Sequence, residues 1–395
     1  MSQAQTIAHL SAILKEAYLP AFRNQITTDP SPFMEKIRKI PLTNNDITAS
    51  APLGLNGGFA FGKEDGGDAP DAGAQRYAGF KLPSKNMYVN IEISDKTVKL
   101  GSSNASAMLN AFDQEVKSAY DAANFNIGRA LFGDGSGKLA TATGTDGTLD
   151  DVGKLREGML IDVYAKGTTD AKVKSARIVA IDRANKKIAT VGGSATLTWA
   201  AEDFITVQKS YNNEICGIGA VMGDDVTEIY GVKKADNAWI RPEVIDAEHE
   251  IGDVVLYDGV ANAAKYKNSK IDMLLCGDDA FKEYQLYMRA NNTILVDKTM
   301  KFKGGAVGYT LNVGSREVVL VNESFVPSTE IWGVESGAWQ LHHTPLDFAS
   351  VDDSVAFERI PGTTRFGALL AMYGNLICEN PGGCVKFINC GPQQA

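Results

Sequence analysis

Gly133-Asp134-Gly135-Ser136-Gly137-Lys138 has the composition of a phosphate-binding loop, in which glycine N–H groups cradle an anion and a lysine meets its charge. The spacing fails. G-x-x-x-x-G-K-[ST] needs glycine where Phe132 stands and a hydroxyl where Leu139 stands, and the run follows a helical pattern where a strand is required. Four histidines could ligate metal or move protons, yet Glu248-His249-Glu250 is not H-E-x-x-H, and the adjacent His342 and His343 point in different directions. Cys378, Cys384 and Cys390 have five residues between neighbours, unlike the close pairs of a zinc site, and read as buried, inert thiols. Asp224-Asp225, Asp278-Asp279 and Asp352-Asp353 could hold a cation or work as acid and base. The middle pair is better explained as the acidic start of a helix, and the other two as turns. No G-x-S-x-G elbow occurs, and Gly304-Gly305-Ala306-Val307-Gly308 lacks the strand-turn-helix setting of a dinucleotide site. The expectation is a protein that is not an enzyme, with no catalytic, cofactor or metal residues.

Elements that could position such groups have to be sought across 395 residues, enough for two or three structural units. A content of 44% hydrophobic and 22% charged residues fits a folded protein, and 39 glycines imply many special backbone positions. The net charge of -9 removes the basic field that drives ordinary nucleic-acid binding, although an acidic wall around DNA avoids trapping its contents. No stretch approaches the ~18 consecutive apolar residues of a membrane span, and the run Thr6 to Leu14 lacks the basic segment of a signal peptide. Five cysteines then suggest reduced thiols in a cytoplasmic setting.

Ile7, Leu10, Leu14 and Tyr18 have helical spacing before Pro20, and the chain through Pro30, Pro32 and Pro41 reads as an extended arm. From Leu53 to Leu82, glycines alternate with Phe59, Phe61, Tyr77 and Phe80, and Asp65-Gly66-Gly67 signals the turn of a long two-armed hairpin. Four exposed aromatics would be costly at about 1.5 to 3 kcal/mol gross each, so the loop either folds back on its own domain or, as the favoured reading, sets these rings against a neighbouring subunit. Met87, Val89, Ile91 and Ile93 alternate with polar residues as in a strand buried on one face. After Ser102 or Ser103, an apolar stripe from Met108 through Phe112, Val116, Tyr120, Ala123 and Ile127 to Leu131 predicts a helix about 45 Å long.

Between Thr148 and Gln208 the spacing predicts strands at Met159 to Ala165, Ala176 to Asp182, Ile188 to Val191 and Phe204 to Gln208, a small inserted β-barrel. Beyond Tyr211 come a strand at Ile271 to Cys276 and a helix from Asp278-Asp279 through Phe281, Tyr284, Leu286 and Met288. Strands at Glu317 to Val321, Glu330 to Val334 and Gly367 to Ile377 follow, with a turn at Pro381-Gly382-Gly383.

The order of these elements resembles the Hong Kong 97 type of tailed-bacteriophage major capsid protein. Locally, Asn124 to Gly135 is similar to the end of that family's spine helix, Val318 to Glu335 to its strand-turn-strand segment, and Arg359 to Pro381 to its closing strand. The resemblance implies an α+β fold divided as follows: N-terminal arm 1–52, extended loop 53–82, peripheral domain with spine helix 83–147, inserted β-barrel domain 148–208, peripheral return 209–226, axial domain 227–344, and C-terminal peripheral strands 345–395.

It further implies self-assembly as hexamers and pentamers into an icosahedral shell, with Phe59, Phe61, Tyr77 and Phe80 at intersubunit contacts. The shell would assemble in the host bacterial cytoplasm and enclose double-stranded DNA by non-specific proximity, with no cofactor and no membrane. About 50 residues precede the loop, short for a fused scaffolding segment, so a separate scaffold protein is expected beside a portal and a decoration protein. Lys63 and Lys81 match crosslinking lysines of some relatives by position alone, and no crosslink is expected. Two alternatives stay open: a bacterial nanocompartment, or encapsulin-like, shell protein of the same fold, and a soluble enzyme with an unrecognised acidic site. The inserted β domain counts against the former.

Overall fold

The computed structural model describes residues 11–20, 31–52, 57–61, 71, 73–74, 77–96, 105–224, 226–290, 299–302, 307–313, 316–348 and 357–392. It divides into two units, each assembled from three stretches of chain: Met1–Pro30, Lys85–Ala220 and Thr344–Gly374 in one, Ser31–Ser84, Val221–His343 and Asn375–Ala395 in the other. Helices and sheets are mixed in an α+β arrangement.

In the first unit the helix Ala105–Leu131 spans 27 residues, about 40 Å at 1.5 Å per residue. Its predicted caps Ser102 and Ser103 lie outside the described residues. Phe112, Val116, Ala123, Ile127 and Leu131 are buried along one stripe, because residues three, four and seven apart share a helix face. Arg129, on its last turn, donates two hydrogen bonds to the carboxylate of Glu214, at 2.8 and 2.6 Å, and both side chains are buried. Gly217 passes so close to the helix end that a Cβ there would lie 2.2 Å from the Leu131 carbonyl oxygen. The strand Lys85–Ser94 pairs antiparallel with residues 365–374 of the strand Arg365–Cys378, from Lys85 opposite Gly374 to Ser94 opposite Arg365. Ile91 and Ile93 point inward, while Asn86, Tyr88 and Asn90 point to solvent, as the alternation predicts.

The same unit carries a five-stranded antiparallel sheet in the order 138–141, 204–207, 160–164, 171–182, 187–191. It has its own core, including Leu139, Leu149, Ile161, Val163, Val173, Ile178 and Ile205. The sheet begins at Lys138, ahead of the composition shift at Thr148. Its two outer strands are joined by residues 149–150: Asp150 N–H donates to the Thr141 carbonyl and Leu149 N–H to that of Lys186. Closure of the barrel-like ring thus comes from this segment.

In the second unit a seven-stranded mixed sheet runs in the order 243–246, 385–388, 331–334, 273–276, 316–322, 307–313, 299–301. The helices Asp253–Lys267 and Asp278–Ala290 cover one face: Leu256, Val260, Ala280 and Tyr284 pack on Leu274, Leu320, Ile331, Val385 and Phe387. Asp278 and Asp279 open the second helix, as expected of carboxylates near the positive end of its dipole. The first helix was not foreseen.

The N-terminal arm is less extended than its prolines suggest. Residues 11–20 are helical, with a π turn at Leu14–Tyr18, whereas Ile7 and Leu10 fall outside the described residues. Pro32–Lys36 forms a short helix, since proline at the first helical position gives up only an N–H that has no helical acceptor, and the Ser31 side chain caps it.

Candidate functional site

The chemistry-bearing residues stay scattered. His249 sits in a turn, its Nδ1 2.9 Å from the Gly391 carbonyl oxygen, and His342 faces Gln340. Asp224 pairs with Lys386, which also meets Glu330; Asp225 and Asp352-Asp353 lie outside the described residues. Among the described residues, no group of three or more His, Cys, Asp or Glu is placed to hold a metal ion. No described helix is long and apolar enough to cross a membrane. Cys378, Cys384 and Cys390 are buried, and burial pushes the Cys378 thiol well up and that of Cys390 to about 12, which suppresses the reactive thiolate.

The hairpin is where the sequence concentrated its unexplained aromatics. Its arms, Asp46–Pro52 and Tyr77–Pro83, pair antiparallel from Asp46 opposite Pro83 to Pro52 opposite Tyr77. Period-two alternation puts Ile47, Ala51, Phe80 and Leu82 on one buried face. Phe80 is only 1% exposed and packs edge-on against Tyr230 at 5.3 Å, while the Lys81 N–H donates to the Tyr230 carbonyl. The expectation that Phe80 would reach a neighbouring subunit is therefore corrected. The register turns it inward, where it anchors the base of the hairpin in its own chain. Tyr77, three residues away, falls on the opposite face and is exposed.

Further out, Phe59 and Phe61 are 76% and 93% exposed, and their rings meet edge-to-face at 5.2 Å. A T-shaped pair satisfies the ring quadrupoles but leaves nearly all of the apolar surface in water. Lys81, a crosslink candidate by position, forms an ion pair with Asp46 at 2.9 Å; Lys63 lies outside the described residues. The geometry is that of a two-stranded hairpin fixed at its base by Phe80, with two exposed phenylalanine rings in the chain between its arms.

A second exposed apolar feature, unmarked by any motif, lies on the sheet of the first unit. Tyr88, Leu369 and Tyr373 share its solvent face, Tyr88 being 56% exposed. The signal was present in the strand alternation: an aromatic sat on the polar side of Asn86-Met87-Tyr88-Val89-Asn90.

Among solved structures the fold is similar to that of a chain from the cyanophage A-1(L) capsid asymmetric unit: 95% of this chain superposes on 93% of that one, with a TM-score of 0.53 and 11% identity. Lower similarity is found to the satellite phage P4 procapsid (TM-score 0.44, 11% identity, 94% of this chain and 97% of that one). The SrpI encapsulin of Synechococcus elongatus is similar at the same level (0.44, 8%, 92% and 89%). No family model matches the sequence, and no curated protein does.

Proposed function

We propose that this chain is the major capsid protein of a tailed bacteriophage, assembling as hexamers and pentamers into an icosahedral head around double-stranded DNA. The observation that carries the reading is the Phe59–Phe61 pair, nearly bare on a stalk whose base is locked into its own chain by Phe80. Such a pair lowers its free energy by finding a dry surface on another molecule, and copies of the same chain are the partners that a shell fold supplies.

In this reading residues 53–82 are the extended loop, 83–147 the peripheral domain with its spine, 148–208 an insertion domain, 227–344 the axial domain and 345–395 the closing peripheral strands. Phe59, Phe61 and Tyr77 make the intersubunit contacts, and Phe80 holds the stalk that presents them. Contacts weak enough to tolerate the different angles of hexamers and pentamers become strong by repetition around closed symmetry. The net charge of -9 keeps DNA from adhering to the wall. The shell is assembled in the host bacterial cytoplasm with a separate scaffold protein, a portal and a decoration protein, and ends as the virion capsid.

The test is to isolate particles from infected or expressing cells, image them, and digest the exterior with nuclease. Closed shells holding nuclease-protected double-stranded DNA are expected from infected cells. Small oligomers, or shells filled with one enzyme, would contradict the phage reading.

A further inference from the structure

We infer that Cys378 and Cys384 are a modification site: in the presence of an oxidised small thiol such as glutathione disulfide, they join as an intramolecular disulfide that closes the turn between them. The inference concerns the second unit alone and does not depend on the assembly reading.

Spacing in the sequence becomes contact in the fold. Cys378 is the last residue of the strand Arg365–Cys378, and Cys384 stands directly before the strand Val385–Ile388. Between them Pro381–Gly383 makes a single 3₁₀ turn, in which the Gly383 N–H donates to the Asn380 carbonyl at 3.1 Å and the Cys384 N–H to that of Pro381 at 3.2 Å. These bonds fold the chain back on itself and the two side chains meet. Their thiols are hydrogen-bonded to each other, and the residues are only 0% and 2% exposed.

The turn is also held from outside. The Cys378 N–H donates to the Tyr230 hydroxyl at 3.1 Å, and the Cys384 carbonyl accepts from the Glu243 N–H at 3.2 Å. The Asn380 side-chain amide donates to the Lys267 carbonyl, again at 3.2 Å. Packing leaves no room at the glycines: a Cβ at Gly382 would lie 1.8 Å from the Trp239 carbonyl oxygen, and one at Gly383 2.7 Å from the Cβ of Ser269. A disulfide needs Cα atoms roughly 4.4 to 6.8 Å apart, a separation that suits residues whose side chains already touch. With both ends anchored, the pair gives up little freedom on bonding.

The remaining cysteines lack this arrangement. Cys276 and Cys390 share the core of one sheet, but strand 331–334 runs between 273–276 and 385–388. Each turns its sulfur to a backbone carbonyl of its own segment, Cys276 to Leu274 at 3.9 Å and Cys390 to Ile388 at 3.7 Å. Cys216 belongs to the other unit. One link is therefore expected from the five thiols.

Burial, with the Cys384 contact, pushes the Cys378 thiol well up, so Cys384, the less deeply buried of the two, attacks first when the turn opens. Its thiolate bonds to one sulfur of glutathione disulfide, whose S–S bond breaks and releases one glutathione, which takes up a proton. The Cys378 sulfur, its proton passed to solvent, then attacks the Cys384 sulfur and expels the second glutathione. The two protein thiols have lost two electrons and two protons, and the small disulfide has gained both. No charge is buried in the product, and the packing that shielded the thiols shields the bond from reductant.

The experiment uses the full chain, reduced and then exposed to glutathione disulfide in two arms, one already folded and one refolding from urea. Free thiols are blocked with iodoacetamide in denaturant and the chain is cut with trypsin, which releases both cysteines in one peptide, Phe366–Lys386, apart from Cys276 and Cys390. In one arm or both, that peptide is expected unblocked and lighter by two hydrogens than its reduced form, while the peptides of Cys276 and Cys390 carry the blocking group. The thermal midpoint of the linked protein should rise by a few degrees and fall back on reduction, whereas Cys384→Ala under the same oxidation should keep its reduced midpoint. Full blocking of Cys378 and Cys384 in both arms, glutathione left on Cys384, or a link from either to another cysteine overturns the inference. Since no particle is needed for any of these readings, the assembly reading stands or falls separately.

Discussion

A double phenylalanine substitution at the tip of the hairpin and a single one at its base should have opposite consequences, and the contrast isolates association from folding. In Phe59→Ala with Phe61→Ala, the removed rings are 76% and 93% exposed in the single chain, so the folded monomer loses almost no burial. If both rings become buried at a neighbour, their removal costs about 3 to 5 kcal/mol per contact on the scale of a fully buried large side chain. That corresponds to roughly a hundredfold to several-thousandfold in the association constant of each contact. Phe80→Ala, by contrast, removes a ring that is 1% exposed and packed on Tyr230, and should destabilise the folded monomer by about 3 to 5 kcal/mol. The assay pairs urea unfolding of unassembled protein with sedimentation of assembled protein. The tip variant should unfold at the wild-type midpoint and fail to sediment, and the base variant should unfold at markedly lower urea. A tip variant that shifts the urea midpoint, or that sediments like wild type at equal concentration, would refute the reasoning.

Further consequences follow from groups buried within each unit. Glu323 accepts a 2.6 Å hydrogen bond from the Ser31 hydroxyl, and burial pushes its carboxyl up to about 7. Its folded value lies above the unfolded ~4.3, so the stability tied to its proton is complete below that value and is lost as pH rises through about 7. Wild-type stability should fall by a few kcal/mol from pH 5 to 8, and Glu323→Gln should remove most of that slope, measured by urea midpoints at four pH values. Glu214→Ala leaves the buried Arg129 guanidinium without its carboxylate and should cost about 3 to 5 kcal/mol in the same assay, while Arg129→Met with Glu214→Leu should recover most of it. Gly217→Val forces a side chain into the Leu131 carbonyl and should lower the thermal midpoint by several degrees or prevent soluble expression.

What was legible in the sequence was what local periodicity dictates. The alternation over Met87 to Ile93 and the stripe from Phe112 to Leu131 each bury one face, so the pattern is the structure. The helix Asp253–Lys267 was hidden because Val254 and Tyr257 put apolar residues on its solvent side, beside the buried Leu256 and Val260, which blurs the 3.6-residue period. Strand Lys138–Thr141 is short and finds its partner at 204–206, a pairing that no local signal announces. Parallel pairing of 243–246 with 385–388 is likewise a long-range fact. At the candidate site the aromatic hairpin was readable from composition, but which ring turns inward depends on the register of Ala49 opposite Phe80, and that is fixed by the whole ladder. The exposed apolar face of Tyr88 and Leu369 was less visible still, since the two become neighbours only when strands far apart in sequence pair.

The most direct measurement is a cryo-electron microscopy reconstruction of the assembled particle at side-chain resolution. The account predicts Phe59 and Phe61 packed against a different copy of the chain, with their rings withdrawn from solvent, while Phe80 remains on Tyr230 of its own copy. Rings still in solvent, or folded back onto the chain that carries them, would contradict it.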